Sequence, residues 1–301
     1  MRLDAHVHTH HSGYHGMPIA RHVMRESYCS PEEVYRLAKA RGMDLVTITD
    51  HDQISGALAI ADRPDVIIGC EVSARFKDDG VGVHLGVLGL NEAQFAEINR
   101  LRGDLSELLP YLRAEGLFVS LNHVASLVNA RITAEHIAAL MPWIDALEAI
   151  NGSRLRCQNQ TALDLAQWNE RSIVAGSDAH TSRGIGRTWV EAPGARTREE
   201  FMAALRAGRV TVGGLHGNYF ILAEDIARCA AACYQEHIAA FCRKPLSWRK
   251  QAAVLGLVAG LPVFTIPFLV GAVHFALEVQ FNRSLRLQIS RWPALKLSQS
   301  A

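Results

Sequence analysis

The sequence predicts an α/β fold, a barrel of short strands joined by helices. Three observations point to it. Seven short apolar runs recur between residue 1 and about residue 215 of the 301-residue chain. Helical patterns fall between them, and strands that alternate with helices build parallel βα units. Polar residues able to bind metals stand beside the apolar runs, and in a βα barrel the strand ends converge on the rim where active sites lie. A chain of this length has room for one such barrel plus an appendage.

The elements follow in order. Leu3 to His8 is the first strand, with apolar Leu3, Ala5 and Val7 interleaved. Alternation puts His6 and His8 on one face, with Asp4 placed to orient an imidazole. Ser30-Pro31-Glu32-Glu33 opens a helix that runs to Gly42. Ser30 caps it, Pro31 suits the first turn, and Glu33 completes a capping box. Val34, Leu37 and Ala38 give this helix an apolar stripe. Leu45 to Thr49, Val66 to Val72 and Val83 to Leu88 are strands. Helices span Glu92 to Arg102 and Leu105 to Glu115, the second stopped by Gly116. Leu117 to Leu121 is a strand, and Thr133 caps a helix through Leu140. Ala146 to Ile150 and Ser172 to Ala175 are the last strands, and Thr197 caps a helix through Ala207.

Composition narrows the function. The net charge of +1 predicts no stable nucleic-acid partner. Six cysteines are scattered without a Cys-x-x-Cys, which argues against a zinc ribbon and for free thiols in a reducing cytosol. No basic leader followed by an apolar run opens the chain, so no cleaved signal peptide is expected. The unusual residue is histidine: there are 14, most of them before residue 181.

Those histidines cluster at strand ends. Asp50-His51-Asp52 follows Leu45 to Thr49, and Glu71 closes Val66 to Cys70. His84 opens a run, Asn122-His123 ends Leu117 to Leu121, and Asp178-Ala179-His180 follows Ser172 to Ala175. The predicted barrel therefore delivers His6, His8, His51, Glu71, His84, His123, Asp178 and His180 to one mouth. Mixed imidazole and carboxylate donors suit zinc, manganese or iron.

In these motifs and in their order the chain resembles the PHP (polymerase and histidinol phosphatase) family over residues 1 to about 215. The matching features are His6-x-His8, Thr49-Asp50-His51, Glu71, His84, His123 and Asp178-x-His180. The resemblance implies a distorted seven-stranded (βα) barrel that holds two or three divalent metal ions and hydrolyses phosphoesters. It implies one ion on His6, His8, Glu71 and Asp178, and a second on Glu71, His84 and His123. A third would use His51, His180 and a side chain from the loop after His8. Many members have Asp in that loop, but Gly13 stands at the spacing, so His15 is the favoured substitute over His10 or His11. A metal-bound hydroxide would attack phosphorus in line. Asp52 and His180 are the candidates for protonating the leaving oxygen, and Arg183, Arg187 and Arg75 for clamping a phosphate oxygen. The expected substrate is small and phosphorylated, histidinol phosphate or a nucleotide or short oligonucleotide among the alternatives.

Composition shifts after Gly213-Gly214, and residues 216–301 read as a helical extension. Tyr219 to Phe241 is a helix with Cys229, Cys233 and His237 on one face, better read as packing than as a metal site. From Gln251 to Leu277 no Asp, Glu, Lys or Arg occurs. This segment reads as one membrane span, as a hairpin dipping into the membrane at Pro262 and Pro267, or as a buried helical pair. Basic residues on both sides favour two cytoplasmic ends for the hairpin. Membrane contact through 251–277 would place the enzyme at the inner membrane face. The competing class is a membrane-anchored binding protein without catalysis.

Overall fold

A computed structural model of the chain describes residues 1–14, 24–129, 132–243, 248, 251–252, 255–256 and 267–292. Its centre is a six-stranded sheet in chain order: β2 (Val46–Ile48), β3 (Val66–Arg75), β4 (Gly82–Leu88), β5 (Phe118–Leu121), β6 (Ala146–Asn151) and β7 (Ser172–Gly176). β2 runs parallel to β3, and β5, β6 and β7 run parallel to one another. β4 departs from the expected all-parallel arrangement: it is antiparallel to both neighbours. Only the short link 76–81 joins β3 to β4, too few residues for a crossover, so the chain turns straight back as a hairpin.

The expected strand from Leu3 to His8 is only partly one. β1 (Arg2–Leu3) pairs with β8 (Thr188–Glu191) in a separate three-stranded antiparallel sheet completed by β9 (Thr211–Gly214). Residues 4–8 then run as an extended, irregular segment between the outer strands of the large sheet. On one side Ala5 N–H donates to the Ala175 carbonyl (3.1 Å), and Asp178 N–H to that of His6 (2.8 Å). On the other, Thr49 N–H donates to Val7 O (2.9 Å), while Val7 N–H donates to Thr49 Oγ1 (3.0 Å). This segment satisfies its backbone against β2 and β7 and curls the sheet toward closure. Gly176 permits the approach, because a Cβ there would collide with the His6 backbone nitrogen.

Helices cover the outside. α1 (Pro31–Ala40) starts as predicted, with Glu33 N–H donating to Ser30 Oγ at 3.2 Å and a left-handed Gly42 beyond its end (φ 84°). α2 (Ser55–Leu58) follows β2; α3 (Glu92–Leu101) and α4 (Leu105–Ala114) link β4 to β5, and α5 (Ala134–Leu140) lies between β5 and β6. α6 (Arg156–Trp168) precedes β7, and α7 (Arg198–Arg206) joins β8 to β9. α8 (Tyr219–Arg243) and α9 (Pro267–Ser290) pack on each other and on this body.

The curled six-stranded sheet, a half-barrel and not the expected closed seven-stranded barrel, is apolar at one end and polar at the other. Leu45, Ile67, Phe118, Ala146 and Val174 close the bottom with Leu3, Leu88, Val190, Phe201 and Leu205. Leu45, Ile67, Phe118 and Ala146 lie at or near the start of their strands, whereas Leu88 ends the reversed β4. Polar side chains occupy the opposite rim. The reversal of β4 is thus what brings His84, at its beginning, to the same rim as residues that follow the other strands.

The C-terminal helices differ from a detachable anchor. Leu285 and Ile289 of α9 are fully buried in the main core, and Asn282 accepts a bond from Thr161 Oγ1 of α6 at 2.8 Å. Cys229 and Cys233 of α8 are buried, as the packing reading expected. Among the described residues no helix is long and apolar enough to cross a membrane. Much of the charge-free segment 251–277 lies outside the described residues.

Candidate metal centre

Glu71 is the hub of the polar rim. It is buried in the middle of β3, at the point where β2 gives way to the loop carrying His51. Its two oxygens face different groups. Oε2 lies 3.1 Å from His6 Nε2, 3.3 Å from His8 Nε2 and 3.2 Å from His51 Nδ1. Oε1 lies 2.9 Å from His123 Nε2 and 3.4 Å from His84 Nδ1, and accepts from Asn122 Nδ2 at 3.0 Å. Asp178 completes the first side: its Oδ1 is 3.6 Å from His6 Nε2 and 3.4 Å from His8 Nε2, and those two nitrogens are 3.0 Å apart. Four donors around one ion at about 2.1 Å would stand about 3.4 Å apart, which is the spacing observed.

His180 and His51 flank His8, their rings 4.4 and 4.5 Å from its ring. Four overlapping sets can each hold an ion: His8, His51 and His180; His6, His8 and Glu71; His6, His123 and Asp178; His51, Glu71 and His84. The cluster also contains buried atoms that make close contacts but no well-aligned hydrogen bond among the described residues. Glu71 Oε2, His84 Nδ1 and His123 Nδ1 lack a hydrogen-bond partner. Orphaned buried acceptors are rare in folded proteins, and at Glu71 and His84 the orphaned atoms face the cluster. A set of imidazoles and carboxylates with atoms left over in this way fits divalent ions.

Backbone geometry aims the ligands. His123 and Asp178 take left-handed conformations (φ 29° and 50°) just past their strands, as does Asp52 (φ 51°). Such a conformation is uncommon for a non-glycine residue and costs about 1–3 kcal/mol, so the surrounding contacts must hold it. For His123 they include its own N–H, which donates to Glu148 Oε2 at 2.8 Å.

Charge is distributed unevenly. Burial disfavours a charged His6, but Glu71, Glu148 and Asp178 outweigh it and hold the imidazole well above its usual range. His8 is buried too, yet bonds to Asp178 and Glu71 push it up to about 9. Burial raises Glu71 and Asp178, but the His6 charge and its neighbours draw both carboxyls well below the usual carboxylate range. His51, His123 and His180 are lowered, chiefly by burial.

Several residues fall elsewhere than the sequence suggests. Asp4 does not orient an imidazole: its carboxylate accepts from the backbone N–H groups of Ser177 and Gly186, both at 2.7 Å. Glu148 does so instead, bonded to His6 Nδ1 at 2.8 Å. Asp52 accepts from Ser73 N–H and from Arg102 Nη1, both at 2.8 Å, so its carboxylate anchors a loop. Arg183 is paired with Glu224 of α8 at 2.8 Å, and Arg75 and Arg187 are exposed. His15 lies outside the described residues. His10 Nδ1 faces the Cys29 carbonyl and His11 Nδ1 faces Ser55 Oγ, so neither ring points these atoms at the cluster.

The groups that sequence reasoning passed over are Glu148, Asn122, Asn151, Arg154 and Glu26. Arg154 Nη2 bonds Asp178 Oδ2 at 3.0 Å, and Asn151 Nδ2 bridges Glu148 (2.9 Å) and Asp178 (3.1 Å). Glu26 Oε2 stands 3.7 Å from His180 Nε2. Glu148 carries a visible signal, a carboxylate inside the apolar run from Ala146 to Ile150. Arg154 and Glu26 carry none, because they reach the rim from loops.

Comparisons with known proteins bear on the fold. A family model described as PHP-associated matches residues 157–210, which include Asp178 and His180. No curated protein matches the chain. Among solved structures, the chain is similar to a two-domain protein of Bacteroides vulgatus containing a predicted PHP-like metal-dependent phosphoesterase. The TM-score is 0.53 at 17% identity, over 74% of this chain and 68% of that one. It is also similar to PsfC of Pseudomonas syringae, with a TM-score of 0.50 at 14% identity, over 78% and 96% of the two chains. At such identities the likeness is one of fold. The class is thereby set: this is a mixed α/β protein with a PHP-like fold and a PHP-associated segment.

Proposed function

We propose that the protein is a metal-dependent phosphoesterase that hydrolyses a small phosphomonoester or phosphodiester. The division of Glu71 carries this reading, since each carboxylate oxygen faces its own set of imidazoles, as a bridge between two ions requires. The predicted PHP-like metal-dependent phosphoesterase of B. vulgatus, similar in fold, is in keeping with it. Divalent ions bound there supply a hydroxide nucleophile at neutral pH and draw charge from the phosphoryl oxygens.

The ligand sets we assign are His6, His8, Asp178 and Glu71 Oε2; Glu71 Oε1, His84 and His123; and His51 with His180 beside His8. The protein's remaining residues position these and the substrate. Glu148 accepts the Nδ1 proton of His6, which turns the Nε2 lone pair toward the centre. Arg154 is held by Asp178 at one nitrogen, and its buried Nε has no partner, so it keeps donors for a phosphate oxygen. Arg154 replaces Arg183 in that role.

The full chain, loaded with Mn²⁺ or Zn²⁺, should contain about two or three ions by elemental analysis and release phosphate from an aryl phosphate. Metal-loaded protein inactive on every phosphomonoester and phosphodiester tried would leave a binding protein as the better account.

A further inference from the structure

The C-terminal helix brings a buried carboxyl group to the loop that follows His123. Glu278 is the first Asp, Glu, Lys or Arg after Lys250, and only 2% of it is exposed. Burying an ionised carboxylate costs several kcal/mol unless hydrogen bonds and opposite charge offset it. Here both oxygens are engaged. Oε1 accepts from Ser126 Oγ at 2.9 Å, and His274 Nε2 stands 3.3 Å away. Oε2 accepts from the Leu127 N–H at 3.0 Å and from Gln158 Nε2 at 2.7 Å.

These partners belong to two segments of the candidate metal centre. Ser126 and Leu127 lie in the loop that begins with His123, and Ser126 N–H donates back to the His123 carbonyl at 2.9 Å. In the same loop Asn129 Nδ2 donates to the carbonyls of Asn122 (2.9 Å) and His123 (3.2 Å), while Asn129 Oδ1 accepts from His84 N–H at 3.0 Å. Gln158 ties the second segment: its Nε2 also donates to Ala125 O, and its Oε1 accepts from Leu155 N–H, next to Arg154. The face of α9 that carries Glu278 continues through Asn282, Leu285 and Ile289, all buried against the body.

We infer that Glu278 is a positioning residue for the metal centre: α9 uses it to fix the loop that presents His123 and, through Gln158, the segment that presents Arg154. This rests on the metal-centre reading above. The C-terminal helix is then part of the working unit, and chains ending near Gly214 would lack one support of the second ligand set.

The test is Mn²⁺ titration of the full chain, read by manganese spin resonance and by release to a chelator. Glu278→Gln, which leaves one acceptor where the carboxylate has two, and Ser126→Ala, which removes the donor to Oε1, should each weaken one Mn²⁺ by about tenfold, the effect of losing an outer partner of a ligand. Leu285→Ala, on the same helix face, should lower Tm and leave Mn²⁺ affinity unchanged. Glu278→Gln and Ser126→Ala both binding Mn²⁺ as the wild type does would overturn the inference alone. Wild-type protein that binds no Mn²⁺ would overturn it together with the metal reading.

Discussion

The two sides of the histidine cluster are built differently. His6, His8, Glu71, His123 and Asp178 are sealed, with side chains no more than 3% exposed. His51, His84 and His180 keep 17 to 26% of their surface. The sealed side stands on β3, on the extended segment 4–8 and on residues just past β5 and β7, and is braced by Glu148, Asn122 and Asn151. The open side comes from loops and from the start of the reversed β4. A sealed set is preorganised, so an ion held there would bind tightly and exchange slowly. An open set leaves room for water and for a substrate oxygen, which a catalytic centre needs.

The largest effect should come from breaking the sealed side. Asp178→Ala or His6→Ala should remove its tightly held ion and reduce phosphate release to background, read by elemental analysis beside an activity assay. If either variant keeps both its ions and its turnover, the two sides are not distinct. Next in size is Glu148→Gln, which leaves every direct ligand in place but loosens His6. Metal affinity should drop about 10- to 100-fold, measured by chelator competition. A smaller loss, under about tenfold in affinity of the sealed ion, is expected for His180→Ala. A greater loss than for Glu148→Gln would reverse the ranking of the two sides.

Proton competition sharpens the same contrast. His8 keeps its proton up to about pH 9 in the absence of metal, so an ion entering the sealed side must displace it. Affinity on that side should fall as pH drops from about 9 toward neutrality, with proton release seen when titrations are repeated in buffers of different ionisation enthalpy. His51 and His180 are already neutral there and should show no such release. The sign for stability is opposite. A His8 value raised from 6.5 to about 9 stabilises the metal-free fold fully below pH 6.5, and that contribution is lost as pH rises through about 9. Chelator-treated protein should therefore show a falling Tm over that interval, and a flat or rising one would mean that His8 is not protonated.

Much of this contrast was legible in the primary structure. His6, His8, Glu71, His123 and Asp178 were all picked out from their places beside apolar runs. Helix α1 was readable from Ser30-Pro31 and Gly42, because caps and left-handed glycines act over a few residues. The turnabout of β4 was not, although it explains why His84 reaches the rim; an apolar run looks the same in either direction. Asp52 and Arg183 were read as catalytic because of their neighbours in sequence, yet Arg102 and Glu224 hold them from distant elements. Arg154 was missed for the converse reason, since its partner Asp178 lies a strand and a helix away. The segment 251–277 stands out in sequence only by its lack of charge, whereas Glu278, just beyond it, is buried in α9 against the loop after His123.

The sequence alone determined which side chains can bind metal and where strands alternate with helices, because ligand chemistry and apolar periodicity are properties of residues and short windows. The tertiary structure alone decided which carboxylate steadies His6, which arginine faces the centre, and that Glu71 divides its oxygens between two groups. Those outcomes depend on distances of about 3 Å between segments far apart in the chain, and only the packing of strands sets such distances.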